Sequence, residues 1–218
     1  LPPELVAGPD AGGIVNLPAI AILFAVAGLL CLGTRESATV NTALVVLKIL
    51  ALLIFVAIAL PAFNGAHFEP FMPHGFWAVT EAQGVNFGVM GAAAIIFFAF
   101  YGFDAVATAA EETKNPARDL AIGVVGSMAV CTALYIVVAF AAIGAMPPEG
   151  FAKSDEPLAL IIRTLGQPQL AAGIAAVAVI ALPTVILAFL FGQSRIFFAM
   201  ARDGLLPRKL GSVNEKSG

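Results

Sequence analysis

Five long apolar runs, separated by short polar or proline-rich segments, account for most of this chain. As a helix with a rise of about 1.5 Å per residue, each run is long enough to cross the hydrocarbon core of a bilayer. The pattern therefore predicts an all-α integral membrane protein with five transmembrane helices. The predicted spans are residues 14–32, 38–60, 85–110, 120–146 and 170–194, followed by a polar end at residues 195–218.

Proline, glycine and polar residues mark the ends of the spans and one break within them. Pro61 is expected to close the second span, Asn115 to cap the helix of the fourth span and Pro116 to open it. The third span is interrupted at residues 101–104, where the sequence reads YGFD. A short amphipathic helix is predicted at residues 156–165, in the loop before the fifth span.

The basic residues predict the orientation of the spans. Of the 11 Lys and Arg residues, eight fall on one side of the predicted membrane, two fall on the other, and Lys48 lies within a span. By the positive-inside rule, residues 33–37, residues 111–119 and the C-terminal end face the cytoplasm of a plasma membrane. The eight are Arg35, Lys114, Arg118, Arg195, Arg202, Arg208, Lys209 and Lys216, and the two are Lys153 and Arg163.

The composition supports a membrane protein and limits the kinds of site it can hold. Hydrophobic residues make up 60% of the chain, charged residues 11%, and the mean hydropathy is +0.97, whereas soluble domains have about 25% charged residues. The two cysteines have no disulfide or metal spacing, and His67 and His74 are expected to be solvated loop residues rather than ligands. We expect no metal, no cofactor and no nucleic-acid partner.

Lys48 is the only charged residue in the run 38–60. It lies about 15 Å from the nearer end, so its side chain cannot reach the interface. An ammonium at that depth costs about 2.5–3.5 kcal/mol on insertion scales, and such groups usually belong to ion pathways, proton relays or counter-ion sites. The alternative is a structural lysine paired with a carboxylate or with carbonyl groups.

The interruption in the third span combines a flexible residue, Gly102, with an acid, Asp104. Gly102 makes local unwinding inexpensive, and unwound backbone exposes carbonyl groups that bind a cation or an ammonium group. Such a break is tolerated at membrane depth where it is buried in protein or lines a cavity. The alternative is an unbroken helix in which Gly102 serves close packing and Asp104 lies near an interface.

Two stretches of the chain resemble a known family. Residues 68–122, which include FEPFMPHGFW and FFAFYGFDAVATAAEETKNPARDLAI, resemble the sixth helix of amino acid permeases and its flanks. Within the amino acid–polyamine–organocation superfamily, they are most similar to the cationic amino acid transporter branch. Residues 193–207, QSRIFFAMARDGLLP, resemble the end of the eighth helix of that branch. The resemblance covers nearly the whole chain and places it as helices four to eight of a longer permease.

The resemblance implies a LeuT-like fold of two inverted five-helix repeats that divide between the second and third spans. It implies that the ammonium group of the substrate binds the carbonyl groups of Phe98, Ala99 and Tyr101, beside Gly102, in a discontinuous third span. The Phe98 ring would cover the substrate. The helices that bind the substrate carboxylate would be missing helices of the same polypeptide.

The resemblance also implies a role for Lys48. Proton-coupled members carry a lysine at this position of the fifth helix, where it replaces the sodium ion of sodium-coupled relatives and exchanges a proton. Thr184, directly after Pro183, is the implied partner from the eighth helix. The alternative for Thr184 is a hydroxyl that bonds back to its own helix.

The remaining charged candidates for functional residues lie within or after the interruption at residues 101–104. Asp104 either binds a basic side chain of the substrate or pairs with a group outside this chain. Glu111, Glu112 and Arg118 are candidates for an inner gate, with solvated helix-end charges as the alternative.

These features predict a secondary active transporter that imports an amino acid with a proton by alternating access within the lipid bilayer. The alternative is an amino acid exchanger or a polyamine carrier without proton coupling. A membrane-embedded enzyme would need a cluster of catalytic side chains, whereas only Lys48 and Asp104 are predicted to lie in the membrane interior. A channel usually has a ring of charged residues along its pore, and the sequence shows no such ring. As an internal piece of a longer protein, the chain is not expected to transport by itself.

Overall fold

The computed structural model describes residues 2, 5–6, 12–32, 34–77, 79–81, 84–86, 88–102, 113, 115–207 and 211. Within these residues the regular secondary structure is helical apart from one antiparallel pair of short strands. The α-helices are α1 (Leu17–Leu32), α2 (Thr34–Ala59), α3 (Val89–Ile96), α4 (Pro116–Ala145), α5 (Pro148–Phe151), α6 (Pro157–Thr164) and α7 (Pro168–Arg202). Turns of 3₁₀ helix cover Leu60–Ala62, Gly65–Phe68 and Phe97–Phe100, and the hairpin pairs β1 (Val79–Glu81) with β2 (Gly84–Asn86).

Three helices within the described residues are long and apolar enough to cross a membrane, and they coincide with three of the five predicted spans. They are Ala38–Ala62, Pro116–Ala145 and Pro168–Arg202. The first and third predicted spans contain shorter apolar helices, Leu17–Cys31 and Val89–Phe100. A straight crossing needs about 20 residues of helix, so an integral membrane protein is confirmed but a count of five crossing helices is not.

The ends of the helices differ from the ends of the apolar runs. Asn16 caps α1, because its side-chain oxygen accepts a hydrogen bond of 3.0 Å from the Ala19 N–H, so the helix begins at Leu17 rather than Ile14. Residues 34–37, predicted as a loop, form the first turn of α2. Polar residues are compatible with a helix, and the end of an apolar run therefore does not end one.

The third predicted span begins later than its apolar run. Residues 84–86 pair with β1 as strand β2, and α3 starts at Val89 after Gly88. Gly88 is buried, and a Cβ atom there would overlap the backbone carbonyl of Trp77. The close approach of these two backbone segments thus fixes the start of α3 more than hydropathy does.

The proline signals at the ends of α2 and α4 are confirmed, with one correction. Helix α2 ends at Ala59, one residue before a 3₁₀ turn that contains Pro61. Pro116 is the first residue of α4, and Asn115 occupies the capping position. The Asn115 side chain makes no cap hydrogen bond, however; its backbone carbonyl accepts from the N–H groups of Arg118 and Asp119 at 3.2 and 2.8 Å.

The described chain divides into two compact units, residues 1–47 with 179–218 and residues 48–178. The second unit has its core where α2, α4, α6 and α7 bury small and branched side chains. Ile161 and Ile162 of α6 are fully buried there, so the predicted amphipathic helix is present and packs its apolar face inward. Its polar face carries an exposed ion pair between Arg163 and Glu156 at 3.0 Å, which contributes little to stability.

The segment after α2 folds onto the C-terminal end of α4. The Asn64 N–H donates to the Gly144 carbonyl at 2.8 Å, and the rings of Phe63, Phe68 and Phe140 pack together with centroids 4.9–5.8 Å apart. His67 Nδ1 lies 3.1 and 3.0 Å from the carbonyl oxygens of Ile143 and Gly144. His67 is thus half-buried and docked on α4 rather than fully solvated, because its ring nitrogen donates to carbonyl groups in the last turn of the helix.

Candidate functional site

The candidate site forms where helical structure in the third span ends. Helix α3 continues as the 3₁₀ turn Phe97–Phe100, and Tyr101 then adopts an extended conformation with φ −60° and ψ 135°. Gly102 follows with φ 124°, a value that residues with a Cβ atom rarely adopt. The described residues stop at Gly102 and begin again at Thr113, so Asp104, Glu111 and Glu112 lie outside them.

Two carbonyl groups predicted to bind the substrate already accept hydrogen bonds from the protein. The Phe98 carbonyl accepts from the Tyr101 N–H at 3.3 Å, which closes the 3₁₀ turn. The Ala99 carbonyl accepts from the Tyr135 hydroxyl of α4 at 3.0 Å. Since a carbonyl oxygen has two lone pairs, each group retains the capacity to accept a second hydrogen bond.

A cavity of about 230 Å³ lies between this interruption and α4. Two residues that line the cavity, Phe100 and Tyr135, pack edge-on, with ring centroids 5.2 Å apart and an angle of 70° between the ring planes. Ser127 also lines the cavity, and its hydroxyl donates to the Val124 carbonyl of its own helix at 3.0 Å. The lining residues are Ala99, Phe100, Tyr101 and Gly102 from the interruption and Ser127, Met128, Cys131 and Tyr135 from α4.

Phe98 is placed differently from the other predicted residues of the interruption. Its ring is 73% exposed and meets the Phe97 ring edge-on at 6.1 Å. Among the described residues, Phe98 is not part of the cavity wall. A role as a cover over the substrate stays a prediction.

Lys48 lies in the same compact unit as the cavity, on helix α2. The residue is half-buried there. It is not among the described residues that line the cavity. Its role in proton coupling therefore stays a prediction.

Thr184 and Arg118 have local environments that fit their alternative interpretations. Thr184 is 5% exposed, and its hydroxyl donates to the Ala181 carbonyl one turn earlier at 2.7 Å. It lies in the unit formed by residues 1–47 and 179–218, beside Pro183. Arg118 is exposed in the first turn of α4.

Sequence reasoning missed the α4 wall of the cavity. Ser127, Cys131 and Tyr135 recur every four residues within an otherwise apolar span, and this spacing places them on one face of a helix. A stripe of hydrogen-bonding side chains along a membrane helix indicates a face that contacts protein or a cavity rather than lipid.

The long apolar helices describe an integral membrane protein. A family model described as amino acid permease matches residues 7–218. The chain therefore belongs to the amino acid permease family, a family of transporters rather than enzymes, and the resemblance noted in the sequence is confirmed.

Three similar proteins illustrate the range of this family. The chain is 45% identical to the branched-chain amino acid permease BcaP of Bacillus subtilis (strain 168), over 99% of this chain and 45% of that protein. It is 37% identical to the methylthioribose transporter of the same organism, over 95% of the chain and 42% of that protein. It is 39% identical to the cationic amino acid transporter 9, chloroplastic, of Arabidopsis thaliana, over 90% of the chain and 33% of that protein. The chain thus spans less than half the length of each of these relatives.

Proposed function

We propose that this chain is the central part of a secondary active transporter that imports amino acids with protons by alternating access. The observation that carries the proposal is the non-helical backbone at Tyr101 and Gly102, in a membrane protein of the permease family. The carbonyl groups just before it border a cavity beside α4, and one of them accepts a hydrogen bond from Tyr135. Carbonyl groups of an interrupted membrane helix are suited to bind an ammonium group, and a lysine amine that can shed its proton is suited to couple transport to proton movement.

Each residue of the interruption has a defined role in this proposal. The carbonyl groups of Phe98, Ala99 and Tyr101 bind the amino group of the substrate, and Gly102 supplies the backbone conformation that exposes them. The Phe98 ring covers the bound substrate. Asp104 binds a basic substrate side chain or pairs with another helix.

Lys48 exchanges the coupled proton in this proposal, with Thr184 as a hydroxyl of the same coupling site. Glu111, Glu112 and Arg118 form the inner gate at the cytoplasmic mouth. The excess of basic residues on one predicted side supports a cytoplasmic location for residues 33–37, residues 111–119 and the C-terminal end in a plasma membrane.

The longer transporter has a LeuT-like fold in this proposal, in which this chain supplies the end of one repeat and the start of the next. Helices outside the chain bind the substrate carboxylate. The share of each relative that the chain covers supports this, because more than half of their length lies outside the match. The names of two relatives suggest branched-chain and cationic amino acids as substrates.

The test is uptake by the full-length transporter in proteoliposomes. Radiolabelled leucine and arginine are offered with an inside-alkaline pH gradient, without a gradient, and with unlabelled amino acid inside. Accumulation above equilibrium that requires the gradient supports proton symport. Exchange that does not depend on the pH gradient favours an amino acid exchanger. Uptake of putrescine alone favours a polyamine carrier. The absence of accumulation, exchange and putrescine uptake overturns the transport function.

A further inference from the structure

Tyr135 holds the interrupted span by both its ring and its hydroxyl. Tyr135 lies within α4, 36 residues along the chain from Ala99. The Tyr135 hydroxyl donates a hydrogen bond to the Ala99 carbonyl oxygen, with 3.0 Å between the two oxygen atoms. The ring packs edge-on against Phe100, the next residue of the interruption, at 5.2 Å and 70°. The contact therefore fixes both the backbone and a side chain at the point where the helix ends.

The hydroxyl matters because of where the carbonyl lies. A backbone carbonyl near the end of a helix within a membrane needs a donor from the protein, because the hydrocarbon supplies no water to bond with it. Tyr135 supplies that donor from a neighbouring helix. The hydrogen bond therefore helps to fix the position of the Ala99 carbonyl within the 3₁₀ turn that ends at Phe100.

The same carbonyl is one of those proposed to bind the amino group. The Ala99 carbonyl oxygen has two lone pairs, and the Tyr135 hydroxyl bonds to one of them. The other lone pair is available to one N–H of the substrate. A carbonyl held in place before the substrate arrives binds it with less loss of conformational entropy than a mobile one.

We propose that Tyr135 is a positioning residue for recognition of the substrate's amino group, a role that rests on the function proposed above. Its hydroxyl holds the Ala99 carbonyl in the orientation that accepts the ammonium group. The residue sets the affinity of the site for the amino group. It takes no part in proton coupling.

The test is Tyr135→Phe in the full-length transporter, a change that removes the hydroxyl and keeps the ring that packs on Phe100. A single hydrogen bond contributes about 0.5–1.5 kcal/mol, so the KM for leucine is expected to rise about two- to tenfold. The maximal rate and the dependence on the pH gradient are expected to stay the same. Thr132→Val is the matched control, because it removes a hydroxyl of α4 that donates to the Met128 carbonyl of its own helix at 2.7 Å.

A second measurement separates positioning from a general structural role. The inhibition constant of the α-hydroxy acid analogue of leucine, which lacks the ammonium group, is compared between the wild type and Tyr135→Phe. Positioning predicts that this constant changes little while the KM for leucine rises. An unchanged or lower KM, or an equal rise in both constants, would overturn the inference and leave the transport function standing, whereas a wild type without saturable uptake would overturn the transport function itself.

Discussion

Lys48 is a charged residue within a predicted membrane span, where burial of its charge has a high energetic cost. It is half-buried in α2, in a run whose other residues are uncharged. An amine in a membrane span is retained where it has protein or water around it, because insertion of the charge into hydrocarbon is costly. The half-buried position of Lys48 within the protein is consistent with that requirement.

Replacement of Lys48 by methionine tests its part in coupling. Lys48→Met keeps the length of the side chain and removes the group that binds a proton. We expect the full-length transporter to lose accumulation driven by a pH gradient and to retain exchange of internal for external amino acid. Both are measured in the same proteoliposomes.

Lys153→Met is the matched control for this substitution, since Lys153 is exposed in the segment between α5 and α6. Its gradient dependence should equal that of the wild type. If Lys48→Met also keeps the wild-type dependence on the pH gradient, Lys48 has no role in coupling.

At the scale of elements, the interruption of the third span depends on one backbone conformation. Gly102 has φ 124°, and no atom of the described residues lies within 4 Å of the position that a Cβ atom would occupy. The described structure therefore assigns the need for glycine to the backbone angle. Residues with a side chain pay a local conformational penalty of about 1–3 kcal/mol in such sparsely populated regions.

Gly102→Ala is expected to reduce substrate affinity in the full-length transporter by about 5–150-fold, because a penalty of about 1–3 kcal/mol shifts the equilibrium toward other backbone conformations. The measurement is the concentration dependence of uptake. Gly65→Ala is the control, since Gly65 has no positive φ and open space around it. Equal affinity in Gly102→Ala and Gly65→Ala would show that the interruption does not need this conformation.

At the scale of the whole molecule, the chain leaves large apolar side chains on its surface. Phe24, Phe98, Val125 and Leu182 are each more than 60% exposed. In a membrane protein such surfaces meet lipid or other helices. The relatives, of which the chain covers less than half, have further length that can supply such helices.

The chain alone is therefore expected not to transport. Reconstituted in liposomes without any further segment, it should give no leucine or arginine uptake above that of empty liposomes, whereas the full-length transporter in parallel liposomes should accumulate substrate. The physical reason is that the substrate carboxylate has no binding helix within this chain in the proposed fold. Saturable uptake by the chain alone would contradict both this expectation and the proposed division of the site.

Much of the local structure was determined by the sequence itself. The apolar runs predict the three crossing helices, Pro61 and Pro116 mark helix ends, and Gly102 lies at the break. These features depend on hydropathy, on the missing N–H group of proline and on the freedom of glycine, all of which act within a few residues. The family, too, is evident from local runs such as residues 97–122.

Which of these features meet depends on the tertiary structure. The Tyr135 hydrogen bond to Ala99 and the docking of His67 on α4 join residues 36 to 77 positions apart. Such contacts depend on how helices pack, and neither segment alone shows which other segment it will contact. For the same reason Gly84–Asn86 forms a strand despite its place at the edge of an apolar run, because it pairs with Val79–Glu81.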